Sequence, residues 1–414
     1  MAHSTSAAPA PSSIELHGVT LRLPGGRRLF DNLTHAFGAR RTGLVGRNGA
    51  GKSMLARVLA GLLVPDGGRV VAHGTVRYLP QQLVAAAGVT VADIADLGAL
   101  FAASDRLASG NGTPEDLALL DGHWGLPADF TAALADAGLP QLLPAMPAAS
   151  LSGGQLARVA LAGAFLSASA ILVLDEPTNH LDREGRAWLR HKLDAWSGTV
   201  LIVSHDRELL DVVDAVVELD ERGLHAYGGN FTHYQAQRDA QAAAARATLQ
   251  HARTARHAGL RQLREEHDAR QQRSARASRS AKAENQAAIL LGRRKADAQT
   301  HAGQQARHAD GTRARLDDAV RSAARGLDRE TPPALLLNNA AVPAGRIVVA
   351  YQGAVAPWPA DAQPLDLMLS GPVRLAISGP NGCGKSTLLR MLAGDVAPRA
   401  GTCAARVPFA WLDQ

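Results

Sequence analysis

Residues 150–182 read SLSGGQLARVALAGAFLSASAILVLDEPTNHLD, and this stretch decides the fold. Leu151, Ser152, Gly153, Gly154 and Gln155 form a small polar loop ahead of an apolar-periodic run, so Ser152 is a helix start signal. Ile171 to Leu174 then make a short continuous apolar run, the pattern of a strand buried on both faces. That strand ends in Asp175 and Glu176. Adjacent carboxylates there are too costly to be filler unless a metal or hydrogen bonds satisfy them. Asp175 suits a Mg2+ shell, and Glu176 suits a general base that orients and polarises an attacking water.

Toward the N-terminus, Thr42 to Val45 is another buried strand. It runs into Gly46, Arg47, Asn48, Gly49, Ala50, Gly51, Lys52 and Ser53, a full GxxxxGKS phosphate loop, followed by the helical pattern MLARVLAGL. Glycines permit a tight backbone whose N–H groups aim at phosphate oxygens, and the helix N-terminus adds a favourable dipole. Lys52 then reaches the β- and γ-phosphates and Ser53 ligates Mg2+. The motif establishes phosphate binding without choosing among the families that use it.

The surrounding text completes an α/β pattern. Residues 14–37 alternate apolar runs with the turn signal Pro24-Gly25-Gly26, which predicts a β-hairpin. Val76 to Gln82 (VRYLPQQ) is a short strand ending in two amides, and residues 89–143 read as short helices broken by Gly and Pro. Thr199 to Val203 is a further buried strand that ends in Ser204-His205-Asp206-Arg207. Taken singly, Gln81 is a surface loop residue, His205 a structural histidine and the LSGGQ loop a helix cap.

Composition narrows the class. The 414 residues are too many for one ordinary core, so two or more domains follow. Charged residues make up 20% and aromatics only 4%, leaving Leu, Val, Ile and Ala to build the interior. Two cysteines, Cys383 and Cys403, are too few for a disulfide framework and suit a reducing compartment, so the expected location is cytoplasmic. No apolar run reaches the 18 or so residues a membrane span needs, and the N-terminal text lacks a signal-peptide pattern. Residues 1–13, small and Pro-containing, are expected to be a disordered tail.

The net charge of +6 is unevenly placed. Residues 232–330 hold 20 Lys and Arg against 11 Asp and Glu, and the rest of the chain holds 24 against 27. No proline stands between Pro177 and Pro332, and Ala, Gln and Arg dominate the second part of that interval, which favours long helices. The reading is an αα-hairpin with arms near 232–277 and 285–324, the glycines at 259, 292, 303 and 311 being tolerated interruptions or turn points. Around its bend Arg261, Arg264, Arg270, Arg273, Arg276, Arg279, Lys282, Arg293, Arg294 and Lys295 outnumber Glu265, Glu266, Asp268 and Glu284. Such a run is either a solvated helical face or a surface for nucleic-acid phosphates. The scarcity of aromatics there favours shape and phosphate contacts over base stacking.

The C-terminal text repeats the N-terminal one. Gly379, Pro380, Asn381, Gly382, Cys383, Gly384, Lys385, Ser386 and Thr387 form a second complete phosphate loop, 333 positions after the first. The same offset relates Gly61 to Gly394, Pro65 to Pro398 and Gln81 to Gln414, a shared register that marks an internal duplication. The second copy reaches Gln414, and counterparts of residues 82–231 do not follow in this sequence. The second cassette is therefore expected to be incomplete, without its own carboxylate pair.

Two phosphate loops, the LSGGQ loop, DEPTNHLD and SHDRELLD around a basic helical linker together resemble the ABC-F family of duplicated ATP-binding-cassette ATPases, over nearly the whole chain from Ile14. That resemblance implies ATP and Mg2+ as cofactors and a cytosolic ATPase that acts on the ribosome in translation or antibiotic resistance. The linker would contact ribosomal RNA or tRNA. It further implies that Gln81 is a Q-loop residue touching Mg2+ or the attacking water, as Gln414 and Ser386 would in the second copy. His205 would be the switch histidine at the γ-phosphate. Ser152, Gly153, Gly154 and Gln155 would close over a nucleotide held by another phosphate loop, that of Lys385 or that of a second molecule in a homodimer through the first cassette.

Some positions depart from the family pattern. No aromatic stands near Leu23 or Pro24 to stack on adenine, Met54 follows Ser53 where a Thr is usual, and the stretch between Gln81 and Leu151 is short. The fold expected is α/β, with a first cassette at 14–231 (helical subdomain about 83–165), a basic helical linker at 232–330 and the N-terminal part of a second cassette at 331–414. Two other readings stay open: the ATPase subunit of a transporter, which leaves the basic linker unexplained, and a non-catalytic ATP-binding module.

Overall fold

The computed structural model describes residues 12–283, 288–325, 342–379 and 382–412. The chain divides into two units, Met1–Tyr234 with Leu337–Gln414, and Gln235–Leu336. Pro380, Asn381 and Gln414, the bend residue Glu284 and most of the expected N-terminal tail lie outside the described residues.

In the first cassette, β1 (Ser13–Arg22), β2 (Arg28–Phe37), β3 (Arg41–Gly46), α1 (Lys52–Leu59), β4 (Gly67–His73) and β5 (Val76–Leu79) come first in order. The helical segment follows, with α2 (Val91–Ile94), α3 (Gly98–Ala108), α4 (Pro114–Leu120), α5 (Leu126–Asp136) and α6 (Gly153–Leu166). The chain then returns through β6 (Ile171–Asp175), α7 (Arg183–Ala195), β7 (Thr199–Val203), α8 (Arg207–Leu210), β8 (Ala215–Asp220) and β9 (Gly223–Gly228). One sheet has the order β5-β6-β7-β3-β8-β9, parallel except for β9. A second, antiparallel sheet has the order β2-β1-β4.

The continuous apolar runs are explained by burial on both faces of the larger sheet. Ile171, Val173, Leu201 and Val203 pack with Leu16, Phe30, Leu55 and Leu59 from the smaller sheet and α1. Leu172, Leu174, Val200 and Ile202 face the other way, against Leu161 of α6 and Leu189 and Leu193 of α7. A third cluster, Val91, Phe130, Leu134 and Val159, ties α2, α5 and α6 together. Every strand end that carries chemistry is thus fixed by apolar contacts on two sides.

Two residues of the expected tail, Ser12 and Ser13, belong to the described structure. Ser13 opens β1 opposite His73, and the Ser12 side chain lies 3.1 Å from the Ala170 carbonyl oxygen and 2.8 Å from Thr199 Oγ1. Pairing with β4 gives Ser13 a place in the smaller sheet, and the hydroxyl contacts tie Ser12 to Ala170 and Thr199.

The second unit consists of two long helices, α9 (Phe231–Ala283), which begins just before it, and α10 (Ala288–Arg325). The first arm outruns its expected end at 277, the second spans 288–325 against the expected 285–324, and the helices continue through Gly259, Gly292, Gly303 and Gly311. Gly259 is a contact position: a Cβ there would stand 2.7 Å from Leu316 Cδ1 of α10. Arg256 pairs with Asp317 across the hairpin at 2.5 Å.

After the hairpin, β10 (Ile347–Val355), β11 (Leu365–Ser370), α11 (Lys385–Ala393) and β12 (Ala400–Ala405) repeat the smaller-sheet order as β11-β10-β12. The run before the second phosphate loop differs from its first-cassette counterpart. Residues 373–379 form no strand, and Val373, Leu375 and Ile377 are 52%, 54% and 39% exposed. In the first cassette β3 is hydrogen-bonded to β7 on one side and β8 on the other. No counterparts of these strands occur among the described residues, so the apolar run has no backbone partner.

Candidate nucleotide site

The phosphate loop is shaped by two close approaches. Gly46 has φ +151°, and a Cβ on it would fall 2.3 Å from the Leu219 carbonyl oxygen of β8. Gly51 has φ +97° with Leu29 Cδ2 2.7 Å from where a Cβ would be, so only glycine fits under that side chain. Gly49, at φ +81°, faces open space. The loop therefore curls with its backbone accessible. Lys52, 7% exposed, turns its ammonium back to donate to the Gly46 and Arg47 carbonyl oxygens at 2.9 and 3.2 Å. Burial holds the ammonium below the usual lysine value, while Glu176 and Asp175 oppose that shift.

The carboxylates at the end of β6 meet this loop. Ser53 Oγ donates to Asp175 Oδ1 at 3.1 Å, and Tyr78 of β5 donates its phenol hydrogen to Asp175 Oδ2 at 3.2 Å. Asp175 is 1% exposed, and burial pushes its carboxyl up against the pull of these two hydrogen bonds and Lys52. Glu176 adopts φ +49°, with its N–H bonded to the Val203 carbonyl of β7 at 2.8 Å. Burial raises its carboxyl as well, opposed by the His205 backbone N–H and then by Lys52. His205 Nε2 stands 3.7 Å from Glu176 Oε1, and burial followed by the Lys52 charge lowers its ring below the ordinary histidine value. Lys52, Ser53, Asp175, Glu176 and His205 are thus gathered at the ends of β3, β6 and β7. A carboxylate with a neutral imidazole beside it can accept a proton or align a water.

The donor set suits Mg2+. A hydroxyl and a carboxylate in direct contact are hard oxygen ligands, and this metal normally completes its shell with water and substrate phosphates. Ser53 and Asp175 would hold it, and it would neutralise charge on the phosphate oxygens. Gln81 is exposed two residues past the end of β5, outside the network around Asp175. Met54 packs its side chain into the core, leaving its backbone alone for a ligand.

The signature residues sit elsewhere. Ser152 caps α6 and Gln155 completes a capping box, with Ser152 N–H donating to Gln155 Oε1 at 2.9 Å and Gln155 N–H to Ser152 Oγ at 3.4 Å. Ser152 and Gly153 are exposed, whereas Gly154 is buried. In the second copy Lys385 repeats the inward turn of Lys52, 2.8 Å from the Gly379 carbonyl oxygen, and Cys383 is exposed. Ser386 and Thr387 open α11, and Gly382 and Gly384 have the left-handed φ values of Gly49 and Gly51.

Three contributors escaped the sequence reading. Tyr78 was hidden because its value depends on the parallel register of β5 with β6. Arg158, one turn into α6, bonds the Ala137 carbonyl oxygen at 3.2 Å and the Asp182 carboxylate. Arg186 of α7 joins the Leu181 carbonyl oxygen at 3.3 Å to Asp206 Oδ2 at 3.0 Å, linking the segment after Glu176 to the segment after His205. All three were ordinary polar residues in text whose motifs drew attention to their neighbours.

Residues 34–179 and 362–408 match the family model described as ABC transporter. The chain is 34% identical to the tylosin resistance ATP-binding protein TlrC of Streptomyces fradiae, over 95% of this chain and 74% of that protein. It is 27% identical to the probable ATP-binding protein YheS of Escherichia coli K12, over 91% of this chain and 56% of that one. Identity with the energy-dependent translational throttle protein EttA of Mycobacterium tuberculosis H37Rv is 35%, over 51% of this chain and 41% of that one. The chain thus spans about half the length of some relatives and three quarters of another. It belongs to the ATP-binding-cassette ATPases and, within them, to the ABC-F family. No helix among the described residues is long and apolar enough to cross a membrane.

Proposed function

We propose that this chain binds ATP with Mg2+ on the loop 46–53, hydrolyses it to ADP and phosphate, and couples that cycle to the ribosome in the cytoplasm, in translation regulation or antibiotic resistance. The observation that carries the catalytic part is the convergence of Glu176 with His205 at 3.7 Å and of Asp175 with Ser53 at 3.1 Å beside buried Lys52. Lys52 and the loop N–H groups hold the phosphates. Glu176 accepts a hydrogen bond from the attacking water, His205 keeps that water and the γ-phosphate aligned, and Gln81 comes to the same water or to the metal once nucleotide is bound. Ser152, Gly153, Gly154 and Gln155 close over a nucleotide on a different phosphate loop, that of Lys385 or that of a second copy. The exposure of Ser152 and Gly153 at a helix N-terminus suits that role.

The ribosomal part rests on charge and kinship. Arg261, Arg264, Arg273, Arg276 and Arg279 are exposed along one end of α9, a surface suited to RNA phosphates. Two relatives are named for tylosin resistance and for a translational throttle. The test is phosphate release by the full chain with Mg2+ and ATP, run with and without ribosomes. Release that requires Lys52 and rises with ribosomes supports the reading. Absence of ATP binding, or binding that survives Lys52→Ala and Lys385→Ala together, overturns it.

A further inference from the structure

We propose that Tyr78 is a positioning residue for Asp175, its hydroxyl fixing Oδ2 so that Oδ1 stays turned toward Ser53. The inference rests on the Mg2+–ATP reading of this site and goes beyond it in assigning Tyr78 a part. Strands β5 and β6 run parallel with Tyr78 opposite Val173. Side chains alternate along a strand, so Tyr78, Val173 and Asp175 share one face. The phenol is long enough to reach the strand end, and its oxygen lies 3.2 Å from Asp175 Oδ2, while Ser53 Oγ lies 3.1 Å from Oδ1.

Rotation about the last bond of an aspartate is only weakly hindered. A carboxylate held at one oxygen can swing, whereas one held at both cannot. Ser53 is itself a candidate metal ligand, so its hydroxyl has to give up part of its contact with Asp175 when Mg2+ binds. Tyr78 has no such competing duty, and its donation to Oδ2 persists. Outer partners of this kind orient a ligand, and their loss typically weakens metal affinity about 10- to 100-fold. The duplication supplies an internal contrast: the offset of 333 places Trp411, which has no hydroxyl, at the matching position of the second copy.

The test compares wild-type full chain with Tyr78→Phe, both in a Lys385→Ala background so that the first loop alone reports. Binding of a fluorescent N-methylanthraniloyl ATP is titrated with MgCl2, and in parallel with EDTA. The expected result is a rise of about tenfold in the Mg2+ concentration for half-maximal binding, with metal-free nucleotide affinity changed less than about twofold. Tyr78→Trp, which installs the second copy's own residue, is the parallel variant should the Phe protein not fold. An unchanged Mg2+ requirement overturns the proposal, as does an equal loss with Mg2+ and with EDTA, which marks a purely structural residue. A wild type whose nucleotide binding ignores Mg2+ instead overturns the site reading itself, and this proposal with it.

Discussion

Glu176 occupies a left-handed conformation at φ +49°, which costs a residue with a Cβ about 1–2 kcal/mol. The conformation persists because β7 grips the Glu176 N–H through Val203 and the Asn179 N–H grips the Glu176 carbonyl at 3.1 Å. The strained backbone turns the side chain toward His205 and away from the strand it follows. Glu176→Gln keeps the shape and removes the base, so phosphate release should fall by about 10²- to 10⁴-fold while ATP binding persists. A rate within twofold of wild type would remove Glu176 from the mechanism. Lys52, Ser53, Asp175 and Glu176 stood out in the sequence by their motifs and His205 only through the family resemblance; the fold brings the five together at the strand ends. Tyr78, Arg158 and Arg186 were not legible in the sequence, since their partners lie 97, 24 and 20 positions away and only the fold brings them near.

Among the elements, α6 shows how packing overrides local preference. Gly163 lies within this helix, and intrinsic propensity alone favours Ala there by about 1 kcal/mol. A Cβ at Gly163 would stand 2.2 Å from the Ala95 carbonyl oxygen at the end of α2. Such overpacking costs about 1–3 kcal/mol, so Gly163→Ala should lower the urea midpoint, and a higher midpoint would contradict the packing. In the same helical segment Asp116 is held down at about 2, first by the Arg106 side chain and then by the Thr113 N–H. Its unfolded value is about 3.9. A depressed carboxylate stabilises the fold above the unfolded value and loses that contribution as pH falls toward the folded one. Unfolding midpoints should thus decline between about pH 4 and pH 2, and Asp116→Asn should flatten that decline. The strands β3, β6 and β7 were legible as apolar runs because both faces are buried. Residues 373–379 carry a similar run without forming a strand, for a run declares burial but not which neighbour provides it.

At the scale of the whole chain, two phosphate loops flank one basic hairpin. The hairpin was visible as a proline-free, Arg-rich interval; the packing role of Gly259 against Leu316 was not, since a glycine in a sequence reads first as a break. If exposed arginines of α9 meet RNA phosphates, binding weakens steeply with salt, with log affinity falling linearly in log salt. If Glu176 is the base, replacing it should hold the nucleotide-bound state, so one experiment reads both ATP use and RNA contact. The most direct measurement is co-sedimentation of full-chain Glu176→Gln with ribosomes, with ATP and Mg2+ or with neither, across 50–500 mM potassium chloride. The account predicts ATP-dependent pelleting at low salt that is lost as salt rises, and that is weakened when Arg261, Arg264, Arg273, Arg276 and Arg279 are changed to Ala together. Pelleting indifferent to ATP and salt, or none at 50 mM, would contradict it.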